Sequence, residues 1–286
     1  MLIDLHIHTN FSSDGEFSPL EIYKEIKKRG VSLFSITDHN SIDGVLDLYS
    51  KVDIADNISF IPGVEFSCKF KGEEIHLLVY NFPLNDERVT YLIDKFKELK
   101  IEQAVKRVYK LKELGFKVDV EEVLKESNEK GISGVTFLNV LKKYPENREK
   151  LFDYLEGDKS DSPYTNFYFD FFRKGGYAYV DADLLDYIET VNLLKDEVLV
   201  IAHPGLYPKS MIKDLIIDGI KGVEVYSSYH NDKFQNEFLL FAEENNLVAT
   251  IGSDFHGPNI KPDVDFINFE LETNKQQKIK NLLKIL

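Results

Sequence analysis

Apolar and polar positions follow two different periods along this chain, and the change of period divides it. Up to about residue 84, short apolar runs typical of strands alternate with segments of helical spacing. The first helix is well delimited, because Ser18-Pro19-Leu20-Glu21 carries a capping box and Gly30 follows three basic residues at its end. The remaining elements predicted here are a helix at Ser41–Tyr49 and strands at Leu2–Thr9, Val31–Thr37, Ile58–Phe66 with an interruption at Pro62-Gly63, and Glu74–Tyr80.

Between residues 85 and 174 the spacing becomes mostly helical. Apolar residues recur three and four positions apart from Val89 to Leu114, and further helices are predicted at Val118–Lys130 and Val135–Tyr144. The stretch Tyr164–Phe172 is rich in aromatic residues that could pack this segment. We interpret 85–174 as an α-helical insertion that caps the substrate site.

Strand-like runs return in 175–286, which with 1–84 forms the predicted main domain. The elements expected there are helices at Asp183–Leu194, Met211–Asp218, Asp232–Asn245 and Lys275–Leu286, and strands at Val198–Ala202, Gly222–Tyr226 and Leu247–Ile251. Four strands thus precede the insertion and three follow it. Repeated β–α units favour a parallel sheet closed into a barrel, whose chemistry lies at the carboxyl ends of the strands.

Composition limits the function. The chain has 286 residues, with 35 basic and 49 acidic side chains and a net charge of −14, which argues against a general binder of nucleic acid or membrane surfaces. The single cysteine, Cys68, excludes an internal disulfide and is interpreted as a buried thiol rather than a metal ligand. A start without signal-peptide features, and no apolar run near the roughly 20 residues of a membrane span, predict a cytoplasmic protein.

Every predicted strand delivers a group that can bind a metal, mostly at its carboxyl end. One histidine there would usually be hydrogen-bonded, Asp38 could cap the following helix, and Glu224 alone could be an ion-pair partner. Separate explanations do not account for all of these residues, because burying so many polar side chains without partners would cost several kcal/mol of folding free energy. It predicts a multinuclear metal centre, whose nitrogen and oxygen ligands without thiolate suit Mn²⁺, Fe²⁺ or Zn²⁺. The set comprises His6, His8, Asp38, His39, Glu65, His76, His203, Glu224, Asp254 and His256.

These residues stand in motifs that resemble the PHP (polymerase and histidinol phosphatase) family of phosphoesterases. The resemblance implies an α/β fold, a distorted seven-stranded (β/α) barrel, with three divalent metal ions in a cleft. The matching segments are Asp4-Leu5-His6-Ile7-His8 with Ser13-Asp14-Gly15, Ile36-Thr37-Asp38-His39, Pro62-Gly63-Val64-Glu65, Glu74-Ile75-His76, Ala202-His203-Pro204, Gly222-Val223-Glu224 and Gly252-Ser253-Asp254-Phe255-His256.

The resemblance also implies a ligand set. By it, one metal is held by His6, His8, Glu65 and Asp254, a second by Glu65, His76 and His203, and a third by Asp14, His39 and His256. Asp4 and Glu224 would orient imidazole rings from outside this set.

The insertion resembles the branch of nucleoside 3′,5′-bisphosphate phosphatases and 5′→3′ oligoribonucleases. The implied function is a phosphoesterase that cleaves nucleotide phosphomonoesters or short oligoribonucleotides through a metal-bridging hydroxide, with no long nucleic acid and no membrane as partner. Asp254 would accept the proton of the water, His230 would act as acid or phosphate donor, and Arg173 and Lys174 would bind phosphate. The chain departs from the branch at Ser133-Gly134-Val135-Thr136, where an Arg-Pro-His-like stretch is common.

Three alternatives remain at this point. The protein could act on histidinol phosphate or another small phosphorylated molecule. It could be a metal-dependent amidohydrolase, although such barrels usually have eight strands and a bridging lysine where Glu65 is expected here. It could also be an accessory domain in which metals are only structural, although no expected ligand is missing.

Overall fold

The computed structural model describes residues 2–12, 14–55, 57–127, 132, 134–181 and 184–266. The chain divides into two compact units, Met1–Ile93 with Leu185–Leu286, and Asp94–Leu184. We call the first the barrel unit and the second the insertion unit. The predicted C-terminal helix Lys275–Leu286 lies outside the described residues, as do Ser13 and Ser133.

Most predicted elements are present, with small shifts at their ends. The strands of the described residues are β1 (Leu2–Asp4), β2 (Val31–Ile36), β3 (Ser59–Phe70), β4 (Glu73–Tyr80), β5 (Leu185–Asp186), β6 (Val198–Ile201), β7 (Ile220–Ser227) and β8 (Val248–Gly252). The α-helices are α1 (Pro19–Arg29), α2 (Asp43–Lys51), α3 (Glu87–Glu113), α4 (Val120–Ser127), α5 (Gly134–Leu141), α6 (Arg148–Leu155), α7 (Pro163–Phe171), α8 (Tyr187–Leu194), α9 (Lys209–Ile212) and α10 (Asp232–Glu244).

The first helix begins and ends as its sequence predicts. Ser18 accepts a hydrogen bond from the backbone N–H of Glu21, and the Glu21 carboxylate accepts one from the N–H of Ser18. Gly30 adopts the left-handed conformation after the last turn. Asp38 does not cap α2, because the N-cap position there is Ile42 and the Asp38 carboxylate is bonded to Thr9.

Seven strands form a barrel-shaped sheet in the order β1-β2-β3-β4-β6-β7-β8, and β5 pairs with β3 off this path. The sheet nearly closes, because Leu5 donates a backbone hydrogen bond to Ile251 and Ile7 forms a parallel bridge with Phe255. The predicted α/β barrel is therefore confirmed.

The prediction of a wholly parallel sheet is wrong at β4, which runs antiparallel to both β3 and β6. The cause is the two-residue connection Lys71-Gly72, in which both residues have positive φ, 50° and 87°. Such a turn matches the twist of a hairpin and joins antiparallel neighbours directly. β3 also continues through Pro62-Gly63, where an interruption was predicted, and pairs with β2 before that point and β4 after it.

The boundaries of the insertion unit differ from the predicted 85–174. The first turns of α3 stay with the barrel unit, since Val89 and Leu92 are buried and Arg88 donates to Asp86 and Glu197. At the other end, the helix predicted from Asp183 begins at Tyr187, after the unpredicted short strand β5.

Each unit has its own apolar core. In the barrel unit, Ile22 and Ile26 of α1 pack with Phe34 and Ile36 of β2. In the insertion unit, α3 contributes Val108 and Leu111 to a core that is rich in phenylalanine. Among the described helices none combines the length and apolarity needed to cross a membrane.

We predict that the thiol of Cys68 does not react with a thiol reagent in the native protein. Cys68 is fully buried on β3, and burial raises its pKa to about 12, so the reactive thiolate is scarce at pH 8. Because this is the only cysteine of the chain, reaction with dithionitrobenzoate should follow global unfolding in a urea series. Rapid labelling in native buffer would contradict this placement of the side chain.

Candidate metal centre

The carboxylate of Glu65 lies at the centre of the polar cluster. Glu65 is fully buried on β3, in the barrel unit. Histidine nitrogens lie 3.0–3.2 Å from its two oxygens, those of His6, His8 and His39 at Oε2 and those of His76 and His203 at Oε1. Imidazoles therefore surround both oxygens, as expected for a carboxylate that is shared between cation sites.

A first group of ligand atoms forms around the His-x-His segment. The Nε2 atoms of His6 and His8 are only 3.1 Å apart, and each lies 3.1–3.2 Å from Asp254 Oδ1. Together with Glu65 these residues place one atom each within 4.8 Å of one another. Because two imidazole nitrogens face each other at hydrogen-bond distance, a shared proton or a cation must lie between them.

A second group lies at the more exposed side of the cluster. It consists of His8, Asp14, His39 and His256. Asp14 Oδ2 is 3.5 Å from His256 Nε2 and 3.7 Å from His39 Nε2, and the rings of His8 and His256 stack at 3.9 Å. Asp14 is the most accessible member, with its side chain 42% exposed.

A third group comprises His39, Glu65 and His76. His76 reaches it from the first half of β4, because antiparallel pairing puts His76 opposite Ser67, close to Glu65 on β3. His203 also approaches Glu65 Oε1, at 3.1 Å, but lies outside this closest set. The structure thus brings together all nine predicted ligands, although the grouping around Glu65 includes His39 where the resemblance placed His203.

The backbone around the cluster is unusually constrained. His203 and Asp254 have positive φ, 26° and 57°, a region that residues other than glycine rarely adopt. Position 252 must be glycine because the side chains of His6 and Glu224 lie against its backbone: a Cβ there would be 2.2 Å from Cβ of His6 and 2.5 Å from Oε1 of Glu224. Such strain is typical of functional sites.

Carboxylates outside the cluster fix its histidines. Glu224 Oε1 lies 3.0 Å from His6 Nδ1, and its Oε2 accepts a 2.8 Å hydrogen bond from the backbone N–H of His203. Glu224 therefore orients a ring, as predicted. Asp4 instead accepts backbone N–H groups of His6 and Ser253, so it holds the chain rather than a ring.

The electrostatics favour the metal-binding forms of Glu65 and His8, whereas at His6, His39 and His76 burial is outweighed by the charge of Glu65 and the pKa is raised. Burial opposes ionisation of Glu65, but the positive charges of His6, His76 and His39 hold its pKa well below the usual value. Burial, with the charges of His256 and His39, lowers the pKa of His8 to about 4. A deprotonated carboxylate and a neutral imidazole are the forms that bind dications.

The donor atoms fit divalent metal ions. Several buried polar atoms of the cluster make no hydrogen bond of acceptable geometry among the described residues, even where a histidine nitrogen lies 3.0–3.2 Å away. They are Asp14 Oδ1, His39 Nδ1, Glu65 Oε2, Asp254 Oδ1 and His256 Nε2. Buried groups without partners are rare and costly. These five belong to the same three groups of ligand atoms, so cations would satisfy them together.

Asp254 has two partners that the sequence did not reveal. Its Oδ2 accepts hydrogen bonds from Lys261 Nζ at 2.5 Å and Tyr229 Oη at 2.7 Å, and Lys261 also donates to Tyr229. Burial opposes ionisation of Asp254, but His6 and His8 hold its pKa well below the usual value. Asp254 is thus held as a carboxylate, the form that binds metal ions, and its acceptance of a proton from water stays a prediction.

Two further partners were also missed. Ser12 Oγ lies 3.0 Å from His8 Nδ1 and accepts the backbone N–H of His39 at 2.7 Å. Tyr207 Oη accepts the backbone N–H of His76. Lysine, serine and tyrosine are frequent outside functional sites. Only the fold therefore identifies Ser12, Tyr207, Tyr229 and Lys261 as partners of the cluster.

The predicted acid and phosphate-binding residues are placed differently. His230 is buried, its Nδ1–H donates to Val225 O, and its Nε2 accepts the N–H of Gly205. Both ring nitrogens of His230 are thus engaged by backbone atoms, and its role as acid or phosphate donor stays a prediction. Arg173 and Lys174 lie in the insertion unit, and their role stays a prediction.

Known proteins resemble this chain over most of its length. The PHP domain family matches residues 4–137. A 5′-3′ exoribonuclease of Haemophilus influenzae is 27% identical, covering 89% of this chain and 90% of the relative. A phosphoribosyl 1,2-cyclic phosphate 1,2-diphosphodiesterase of Eggerthella lenta is 25% identical, over 90% and 95% of the two chains. A 3′,5′-nucleoside bisphosphate phosphatase of Chromobacterium violaceum is 26% identical, over 90% and 87%.

The fold also has a solved counterpart. A Chromobacterium violaceum structure, described as an amidohydrolase with bound sulfate and no metal, covers 98% of this chain and 96% of its own, with a TM-score of 0.72 and 23% identity. That likeness shows the fold alone. The ligand motifs, the PHP domain match over residues 4–137 and the related phosphoesterases agree: the chain resembles PHP phosphoesterases and is a hydrolase of phosphoric ester bonds.

Proposed function

We propose that this hydrolase removes phosphate from nucleoside 3′,5′-bisphosphates and hydrolyses short oligoribonucleotides with the help of bound divalent metals. The observation that carries the proposal is the buried Glu65 carboxylate, with histidine nitrogens 3.0–3.2 Å from each of its oxygens. A carboxylate so placed can be shared between two cations, an arrangement suited to phosphoryl transfer.

We further propose that three metal ions bind, one in each of the three groups of ligand atoms described above. Nitrogen and oxygen donors without thiolate suit Mn²⁺, Fe²⁺ or Zn²⁺. When bound, such ions supply Lewis-acid polarisation of the phosphoryl group and a water activated at neutral pH.

The side chains of the protein position and shield this chemistry. Glu224 fixes the ring of His6, while Lys261 and Tyr229 hold the outer oxygen of Asp254. His6, His8 and Glu65 are fully buried, which excludes bulk water from one side. Asp14, being partly exposed, marks the side from which a substrate can approach.

Charge and relatives support a small substrate. The net charge of −14 disfavours long nucleic acid, and the relatives from Haemophilus influenzae and Chromobacterium violaceum are an exoribonuclease and a bisphosphate phosphatase. The cytoplasmic location expected from the sequence stays an expectation.

Phosphate release from a substrate panel tests this proposal. We expect the Mn²⁺-loaded protein to release phosphate from adenosine 3′,5′-bisphosphate and to shorten a ribo-oligonucleotide, and EDTA to abolish both reactions until metal is restored. The comparison substrates are ribose 1,2-cyclic phosphate 5-phosphate, histidinol phosphate and an N-acyl amino acid. Faster turnover of any comparison substrate than of the two nucleotides would reject the proposed specificity.

Glu65→Gln should lose metal and activity together. The amide keeps the shape but has one oxygen and no charge, so the histidines around it lose their common anionic partner. We expect kcat/KM to fall more than about 100-fold, beyond what removal of an outer partner of a ligand costs, with lower metal content by elemental analysis. The matched control is Glu237→Gln, which alters an exposed ion pair with Lys209. Full metal occupancy in Glu65→Gln would contradict the shared site.

Lys261→Met should weaken metal binding without unfolding the barrel. Lys261 neutralises and orients Asp254, so its loss should lower metal affinity and kcat/KM by about 10- to 100-fold, measured by calorimetry and by phosphate release. Lys209→Met is the control, because its exposed ion pair should contribute little. Unchanged metal affinity in Lys261→Met would exclude the proposed role.

A further inference from the structure

The insertion unit contains a buried arginine without an anionic partner. Arg107 lies on α3 and is 9% exposed. Its Nε has no hydrogen-bond partner, and in the part of the chain that the structure describes no carboxylate forms an ion pair with the guanidinium. The ionisable groups that influence it there are the phenols of Tyr168 and Tyr179.

Such a group is costly to retain. A guanidinium cannot become neutral in a protein, so burial leaves a desolvated charge. The carbon Cζ of Arg107 lies 4.6 Å from the centre of the Phe172 ring, and this cation–π contact offsets part of the cost. An uncompensated buried charge is destabilising for the chain alone, which indicates a partner from outside it.

The surroundings select the kind of partner. The Cζ atom of Arg107 lies over the ring of Phe172. A guanidinium presents paired N–H groups in one plane, and a tetrahedral oxyanion can accept two of them. Lys110 lies three residues further along α3, on a neighbouring part of the helix surface, and donates to the backbone oxygen of Tyr179. A second cation on the same side favours a polyvalent anion over a carboxylate.

We propose that Arg107 is the centre of an anion-binding site in the insertion unit, and that this site takes a phosphate group. The proposal depends on the insertion unit alone, so it stands whether or not the barrel unit cleaves nucleotides. If Arg107 had a structural role instead, its removal would destabilise the protein.

The test compares thermal unfolding of the full chain with and without inorganic phosphate, against KCl of equal ionic strength. We expect phosphate to raise the Tm of the wild-type protein by about 2 °C or more. Arg107→Met should have a higher Tm than the wild type without phosphate, and phosphate should raise its Tm by clearly less than that of the wild type, since only the metal centre of the barrel unit would remain to bind the anion. Arg148→Met is the matched control in the same unit, since Arg148 forms an exposed ion pair with Glu156, and it should respond as the wild type does.

A phosphate response of equal size in Arg107→Met, or none in the wild type, would overturn the proposal. A second measurement holds even where the methionine variant folds poorly. The chain has five arginines, so the Nε–Hε signal of Arg107 can be identified in the zinc-loaded protein from an Arg107→Lys spectrum. Phosphate should shift that signal, and a signal that does not move would equally reject the site.

Discussion

The structure of the barrel unit depends on burying one carboxylate among imidazoles. Glu65 has no access to water, and histidines lie at both of its oxygens. A buried charge of this kind is tolerable only with close partners of opposite charge. The positive φ values of His203 and Asp254, and the glycine at 252, all serve to bring those partners within reach. Backbone geometry at the site is therefore set by electrostatics as much as by packing.

Much of this could be predicted from the sequence, because the ligands recur at strand ends. The spacing of His6 and His8 puts both on one side of an extended chain, and each later strand adds a similar group. The reversed direction of β4 was missed, since alternating apolar runs look alike in either direction and only the Lys71-Gly72 turn distinguishes them. Without it, His76 would not lie beside Glu65.

The partners of the ligands could not be predicted. Lys261 and Tyr229 meet at Asp254 although 32 residues separate them, and Ser12 links two histidines from a loop. Local sequence carries no signal for such contacts, since lysine, tyrosine and serine are common on surfaces. The contacts of His230 were equally hidden, since nothing in the sequence indicates that backbone atoms engage both of its ring nitrogens. Residue type thus predicted which side chains gather at the candidate centre, and it did not predict the contacts around them.

The sole cysteine of the chain has a consequence for the metal centre. Cys68 is buried on β3, and no group of ligand atoms in the described residues includes it. Peroxide and disulfide stress attack accessible thiolates first. Among the described residues, the candidate centre therefore offers no thiolate that such reagents could oxidise. On the proposal that this centre holds a redox-active metal, oxidative inactivation would begin at the ion and not at a sulfur ligand.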